Sequence, residues 1–198
     1  MNKLFATAAL FAAILISPMA SAGVGGSVGV DSDKFWRGVN MSNGLATSLS
    51  LDYGHKGWFV GLEAFNGDEL NSVMHAGYSV DLTDSMSVRG GIVSYDMEML
   101  GDRFEEAVIG GSYKGLDIDY FINVDETDST YLEVGYTLPL ISIVDLELNY
   151  GRFDNGEDVL GFTVSKDVGQ MVLSLMVLEE SRHGEFMDHA SVGLHYRF

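Results

Sequence analysis

Residues 191–198, SVGLHYRF, close the chain with two kinds of side chain in strict alternation. Val192, Leu194, Tyr196 and Phe198 are apolar or aromatic, and the residues between them are small, polar or basic. A period of two is that of a β-strand with one apolar face. Because chain ends of water-soluble domains are usually polar and frayed, this ending indicates a strand that meets an apolar surface.

The same alternation recurs along most of the chain, with clear examples at 45–53, 116–124, 144–150 and 159–165. Five short turns are predicted near residues 54–57, 81–85, 113–116, 138–142 and 166–170. Six longer, mostly acidic loops alternate with them, near residues 39–44, 65–71, 96–106, 124–129, 153–158 and 178–188. We therefore predict an all-β fold, a transmembrane antiparallel up-and-down β-barrel of about 12 strands, with short periplasmic turns and longer outer loops.

Two soluble folds compete with this prediction. A β-sandwich has similar short strands, but it does not require short turns to alternate with long loops. A lipocalin-like barrel would carry about eight strands. A closed transmembrane barrel satisfies every strand edge in lipid and accounts for all of these features.

The first 22 residues have the pattern of a secretory signal peptide. Lys3 supplies the positive charge, residues 4–16 are apolar, and Ala20-Ser21-Ala22 is a small-x-small cleavage site. The apolar run is shorter than the ~20 residues of a membrane-spanning helix. We predict that residues 1–22 are cleaved and that residues 23–198 form a single barrel domain of the Gram-negative outer membrane.

Composition excludes several classes of function. Cysteine is absent, which excludes disulfides, thiolate metal ligands and cysteine catalysis. The chain has 29 Asp and Glu against 11 Lys and Arg, so we expect no binding to nucleic acid. Hydrophobic residues make up 46% and aromatic residues 11%, which indicates a folded chain rather than a disordered one. The excess acid must be solvated in loops or in a wet interior.

Residues 33–67, DKFWRGVNMSNGLATSLSLDYGHKGWFVGLEAFNG, have a distinctive layout. An aromatic-x-Arg-Gly segment precedes a Ser-Asn-Gly turn, a strand ending in Asp-Tyr-x-His and a Gly-Trp-Phe-Val-Gly strand. This layout resembles the TorF family of porins, and Asn40 departs from it where Ser is commoner. The positions that match best are Phe35, Arg37, Gly38, Asn43, Gly44, Asp52, Tyr53, His55, Gly57 and Gly61. The resemblance implies a small outer-membrane barrel with a transport role and no particular substrate.

The last strand carries a second resemblance. An alternating C-terminal strand that ends in Phe is similar to the terminal signature of Gram-negative outer-membrane barrel proteins. The resemblance implies that the barrel assembly machinery recognises Phe198. Outer-membrane lipid and lipopolysaccharide are the other expected partners.

Catalytic and metal sites are not expected. Asp188 and His189 could serve a barrel protease, but neighbouring residues of a strand point to opposite faces, so a solvated loop is the better interpretation. The Gly-rich residues 23–29 lack the Lys-Ser/Thr ending of a phosphate loop. The acidic loops lack the twelve-residue calcium loop with its terminal Glu. We predict no enzyme activity, cofactor or metal.

If the apolar faces contact lipid, the alternate positions face a lumen, where charged residues are solvated. The candidate lumen-lining residues are Arg37, Asp52, Glu63, His75, Arg89, Lys114, Asp117, Asp119, Glu133, Asp145, Glu147, His195 and Arg197. Arg37 is expected in the first strand. About twelve strands lie between the eight that side chains fill and the sixteen of open porins, which favours a narrow pore.

The predicted function is an outer-membrane channel for small polar or ionic solutes with a weak preference for cations. The alternative is a non-conducting barrel with a structural or surface-interaction role, its interior filled by salt bridges.

Overall fold

The computed structural model describes residues 23–42, 44–66, 70–97, 103–126, 129–141, 144–182 and 185–198. The predicted signal peptide lies outside these residues, as do Asn43 and parts of five other predicted connections. Among the residues that the structure describes, no helix is long and apolar enough to cross a membrane.

Twelve strands form one closed antiparallel barrel. Strands β4 to β13 each pair with the next strand in the chain, and β1 closes the barrel by pairing with both β4 and β14. Two further strands, β2 and β3, pair only with each other. The predicted fold class is therefore confirmed. The strands are β1 (Gly23–Asp31), β2 (Phe35–Trp36), β3 (Val39–Asn40), β4 (Ala46–His55), β5 (Trp58–Asn66), β6 (Leu70–Thr83), β7 (Met86–Asp96), β8 (Phe104–Tyr113), β9 (Leu116–Asn123), β10 (Thr130–Ile141), β11 (Val144–Phe153), β12 (Asp158–Val168), β13 (Met171–Arg182) and β14 (Glu185–Arg197).

The two faces of the barrel wall follow the period of two in the sequence. In β4, Leu49, Leu51 and Tyr53 are exposed on the outside, whereas Ser48 and Ser50 are buried inside. The outer surface is apolar because the wall presents these side chains to hydrocarbon, and the lumen receives the small and polar residues.

The last residue completes the closure of the barrel. The N–H of Phe198 donates to the carbonyl of Gly26 over 3.0 Å, and the N–H of Gly26 donates to the carbonyl of Phe198 over 3.2 Å. A Cβ atom at Gly26 would lie 2.9 Å from the Phe198 ring, so the glycine leaves room for that ring. The aromatic chain end thus pairs with β1 at the seam of the barrel.

The connections define two ends of the barrel. We call the end with the turns at 56–57, 84–85, 114–115 and 169–170 the turn end, and the opposite end the loop end. The prediction of a long loop at 178–188, which lies at the loop end, is wrong. β13 continues to Arg182 and β14 starts at Glu185, with unbroken pairing between them. Polar residues can extend a strand ladder beyond the apolar band, because their backbone groups still find partners.

The first strand is shorter than predicted. β1 ends at Asp31, and Arg37 lies in the turn of the β2–β3 hairpin instead of in the barrel wall. Residues 34–41, which we call the inner hairpin, fold back into the barrel, where Phe35 is 1% exposed. The Met41 N–H donates to the Lys34 carbonyl over 2.9 Å and closes the hairpin.

The inner hairpin is the centre of an apolar cluster inside the barrel. Its residues pack against wall residues of several strands near the loop end. The buried members are Phe35, Trp36, Met41, Phe65, Val73, Val93, Tyr95, Met97, Val108, Phe121, Tyr131, Val159, Met176 and Leu178. The lumen at this level is thus a packed core.

Candidate functional site in the barrel interior

Arg37, at the tip of the inner hairpin, contacts one side of the barrel wall. Its Nη1 and Nη2 donate to Oε1 and Oε2 of Glu106 over 2.7 Å and 2.5 Å. The guanidinium carbon lies 4.6 Å from the ring centre of Phe121 and 4.2 Å from that of Tyr131. It also lies 4.7 Å from the Trp36 ring and 5.8 Å from the Tyr95 ring. A bidentate ion pair of this kind fixes both the distance between the two groups and the plane of the guanidinium.

The charge of Arg37 is retained in this buried place. Burial by itself lowers the pKa of Arg37, but the Glu106 carboxylate reverses the effect and raises the pKa above its ordinary value. The guanidinium is therefore an ion held against a carboxylate. Removing either partner would leave an unpaired buried charge, which costs about 3–5 kcal/mol.

Lys34 anchors the start of the inner hairpin to a different part of the wall. Its Nζ donates to Oε1 of Glu63 on β5 over 2.7 Å, and both side chains are almost fully buried. The same Nζ lies 5.3 Å from the ring centre of Phe65. Two buried ion pairs, on β5 and on β8, therefore hold the inner hairpin.

The hairpin also contacts the strands that close the barrel. A Cβ atom at Gly38 would lie 2.9 Å from side-chain atoms of Glu180 and Val159. The ring of Phe35 lies 5.1 Å from the ring of His189. Contacts on β5, β8, β12, β13 and β14 show that the inner hairpin spans the lumen. At this level the interior is filled. The predicted narrow pore did not include such a filled section.

Nearer the turn end, charged side chains line the wall. Arg89 of β7 donates from Nε to Asp119 of β9 over 2.9 Å and from Nη1 to Asp117 over 3.3 Å. Gly110 of β8 lies between Arg89 and Asp119 in the register of the three strands. A side chain at Gly110 would collide with the Asp119 carboxylate, so the glycine allows this ion pair to lie flat across β8.

A contact between a histidine and an aspartate also crosses a glycine. His75 Nε2 of β6 lies 3.4 Å from Asp52 Oδ1 of β4, and Gly61 of β5 stands between them in register. At the seam, His195 Nε2 lies 2.9 Å from Asp31 Oδ1.

Two acidic candidates lie on the inner wall without a cation beside them. Glu133 of β10 and Glu147 of β11 are half-buried. Neither forms an ion pair within 4.0 Å with any other residue that the structure describes. Arg89 pairs with Asp117 and Asp119 of β9, and Glu133 and Glu147 lie on the next two strands, β10 and β11.

Three predicted lumen residues lie elsewhere. Lys114 is the first residue of the turn between β8 and β9, and its Nζ lies over the Tyr113 ring. Asp145 is exposed near the start of β11. Arg197 is exposed near the end of β14 and pairs with Asp167 over 3.4 Å. All three lie at the turn end, because alternation specifies a face of the strand and not a depth within the barrel.

Sequence reasoning missed Lys34, Glu106, Tyr95 and Tyr131, which hold or surround the inner hairpin. A signal was present in Trp36-Arg37-Gly38-Val39. Gly at the second position of a two-residue hairpin turn supplies the positive φ that such a turn requires. Reading this turn would have placed a hairpin in the first loop, but its partners inside the barrel depend on distant strands.

Asp188 and His189 lie in regular strand β14, which corrects the predicted solvated loop. Asp188 is exposed opposite Glu179, whereas His189 is half-buried opposite Leu178 and contacts Phe35. The two side chains face opposite sides of the wall. Within the described ranges, no group of three or more His, Asp or Glu side chains could hold a metal ion.

Comparisons with known proteins found similarity in structure alone. No family model matches the sequence, and no curated protein matches it. The TorF resemblance is therefore not confirmed. Among solved structures, the KdgM porin matches with a TM-score of 0.68 at 10% identity, covering 88% of this chain and 99% of that chain. The NanC porin matches with a TM-score of 0.61 at 13% identity, covering 89% and 99%. The chain therefore has the fold of small outer-membrane porins.

Proposed function

We propose that this protein is an outer-membrane channel for small polar or ionic solutes, and that its inner hairpin restricts the passage. The observation that carries the proposal is the closed barrel with charged side chains along its lumen, in a fold shared with porins. Nearer the turn end the wall presents ion pairs and small residues. Near the loop end the inner hairpin is the obstacle.

The charge of the lumen supports a preference for cations. Arg89 carries one positive charge against the two carboxylates of Asp117 and Asp119, and Glu133 and Glu147 lie on the same wall without an ion pair among the described residues. In a narrow passage such fields reach several kT and concentrate ions of opposite sign. The KdgM porin has been solved in complex with disordered oligogalacturonate, an oligomer of a sugar acid. An acidic lumen would repel such a polyanion, so we do not extend that ligand to this chain.

Single-channel recording in planar bilayers tests the proposal. Folded protein should give discrete conductance steps, and a salt gradient should give a reversal potential of the sign expected for cations. The preference should weaken as salt rises, because the Debye length falls from about 30 Å at 0.01 M to about 3 Å at 1 M. An anion-selective reversal potential would contradict the cation preference.

A non-conducting barrel is the second candidate, and the inner hairpin is the observation that favours it. Two buried ion pairs and a packed apolar cluster hold the hairpin across the lumen. Recording of a variant whose hairpin is released separates the two functions. If neither the wild type nor the released variant conducts, the result supports the structural role.

The orientation in the envelope follows from the same proposal. The turn end would face the periplasm and the loop end the cell exterior, where lipopolysaccharide is the neighbouring lipid. Lys56, in the turn between β4 and β5, should then resist an amine reagent added to intact cells. A Cys introduced at Asp125, in a loop at the other end, should react with a membrane-impermeant thiol reagent. Equal labelling of both would overturn this orientation.

Assembly would use the last strand. Phe198 pairs with Gly26 at the seam, so it can meet the assembly machinery only before the barrel closes. Phe198→Ala should lower the yield of folded barrel in cells, while refolding of the purified chain in detergent should be less affected. Equal losses in both would indicate a role in the seam alone.

A further inference from the structure

We infer that four side chains of the barrel wall form a binding pocket for an organic cation of the guanidinium class, and that Arg37 occupies it as a tethered substitute. The four side chains are Tyr95, Glu106, Phe121 and Tyr131, which we call the cation pocket. The inference rests on the proposed function, because it names a class of solute that would reach this pocket when the inner hairpin leaves.

The cation pocket belongs to the wall and not to the hairpin. Its members come from four successive strands, β7 to β10, and each is at most 6% exposed. Neighbouring strands place them on one side of the lumen. A side chain at Gly151 would collide with the Tyr131 hydroxyl, so that glycine leaves room for the ring to lie against the wall. The pocket is thus built by the barrel register itself.

The chemistry of the pocket is selective for a planar organic cation. Glu106 presents both oxygens to one guanidinium, and the Phe121 and Tyr131 rings lie within 4.6 Å of its carbon. Aromatic faces attract cations that are weakly hydrated. A guanidinium is more weakly hydrated than an ammonium, so its desolvation costs less free energy. Its planar N–H groups can also donate two parallel hydrogen bonds to one carboxylate. A sodium ion could use the carboxylate but not the rings.

Arg37 reaches the pocket on a short hairpin, so the pocket is open to a solute only when the hairpin leaves the lumen. Arg37 has a φ of +48°, a left-handed backbone conformation that few residues other than Gly, Asn and Asp adopt. Its side chain enters the pocket from the lumen, the direction from which a solute would come. The apparent affinity of a free cation is lowered by the small fraction of molecules whose inner hairpin has left the lumen, so roughly tens of millimolar of the cation are needed to compete with Arg37.

Binding to the Arg37→Ala variant tests the inference without requiring conduction. Calorimetric titration of the folded variant in detergent would use methylguanidinium as the probe. We expect binding at least about tenfold tighter than that of urea, which is planar but uncharged, and loss of at least about tenfold in the double variant Arg37→Ala with Glu106→Gln. Equal binding to the two variants, or none to the first, would overturn the cation pocket.

A second measurement uses the wild type, which avoids dependence on the folding of a variant. Methylguanidinium at tens of millimolar should displace Arg37 and change the fluorescence of Trp36, whose ring lies 4.7 Å from the guanidinium carbon. Urea at the same concentration should not. A Trp36→Phe variant isolates the contribution of Trp58. An identical response to both probes would count against the pocket, whereas binding in a barrel that never conducts would refute only the proposed channel.

Discussion

Three turns of the molecule share one local design and differ in where they lie. Each is a basic residue followed by Gly between two strands, and each has positive φ at both positions. The turns are Arg37-Gly38 with φ of 48° and 89°, Lys56-Gly57 with 51° and 86°, and Lys114-Gly115 with 49° and 83°. The first is inside the barrel, whereas the other two are at the turn end. Local sequence chemistry therefore specifies the turn but not its environment.

The energetic consequence of this difference is large. Arg37 is 4% exposed and is paired with Glu106, and loss of a buried partner costs about 3–5 kcal/mol. Lys114 is exposed, and its contact with the Tyr113 ring contributes about 0.5–1 kcal/mol. The same kind of charge thus determines the state of the lumen in one turn and has little effect in another.

The largest expected effect comes from reversing the charge at the inner turn. Arg37→Glu would place a carboxylate against Glu106, so the inner hairpin should leave the lumen. A loss of about 3 kcal/mol corresponds to at least about 100-fold in the population of open channels. Single-channel recording measures this population. Lys114→Glu is the matched control and should conduct like the wild type; equal behaviour of the two variants would refute the role of the inner hairpin as an obstacle.

A smaller effect should follow from replacing the glycine of each turn. Alanine at a positive φ costs about 1–2 kcal/mol. At Gly38 the added carbon would meet Glu180 and Val159 at 2.9 Å, so Gly38→Ala should raise the open population about tenfold. At Gly57 the carbon would meet the Ser79 carbonyl oxygen at 2.5 Å, so Gly57→Ala should weaken the barrel instead. Single-channel recording measures the open population of both variants, and urea unfolding followed by gel mobility measures their stability. A change in conductance for Gly57→Ala would contradict the expectation that this variant affects stability alone.

The comparison of paired and unpaired charge extends to the lumen wall. Glu147→Gln removes an unpaired carboxylate and should reduce cation selectivity without loss of stability. Asp119→Asn should also reduce selectivity, but it weakens the pair with Arg89 and should lower the free energy of unfolding by about 1–3 kcal/mol. Reversal potentials and urea unfolding separate the two variants. If neither variant changes the reversal potential, these carboxylates serve the structure and do not act on passing ions.

The smallest effect is expected at the exposed turns. Lys56→Ala and Lys114→Ala should change the free energy of unfolding by no more than about 1 kcal/mol and leave conductance unchanged. Urea unfolding of both variants beside the wild type measures this. A loss of several kcal/mol in either would mean that the turn end contains an interaction comparable with that of Arg37.

Much of the barrel was predictable because its signals are local. Alternation of side chains reports the face of each strand, and short turns fix the register of the strands they join. Glu63, His75, Arg89, Asp117 and Asp119 were placed on the inner face in this way. The contact across Gly61 and the ion pair across Gly110 were not predicted, because each requires the joint register of three strands. The strand extension through Asp188 and His189 was not predicted either, because acidic residues are typical of loops as well as of strand ends beyond the apolar band.

The sequence alone determined the class of fold, the alternating faces and the positions of the turns at the turn end, since a period of two and a Lys-Gly turn act over a few residues. Only the tertiary structure decided that the first loop lies inside the barrel. Arg37 meets Glu106 across 69 positions of the chain, and Lys34 meets Glu63 across 29. Such contacts exist only after the barrel has closed, because closure sets which inner faces share one depth and excludes the water that would otherwise separate these charges.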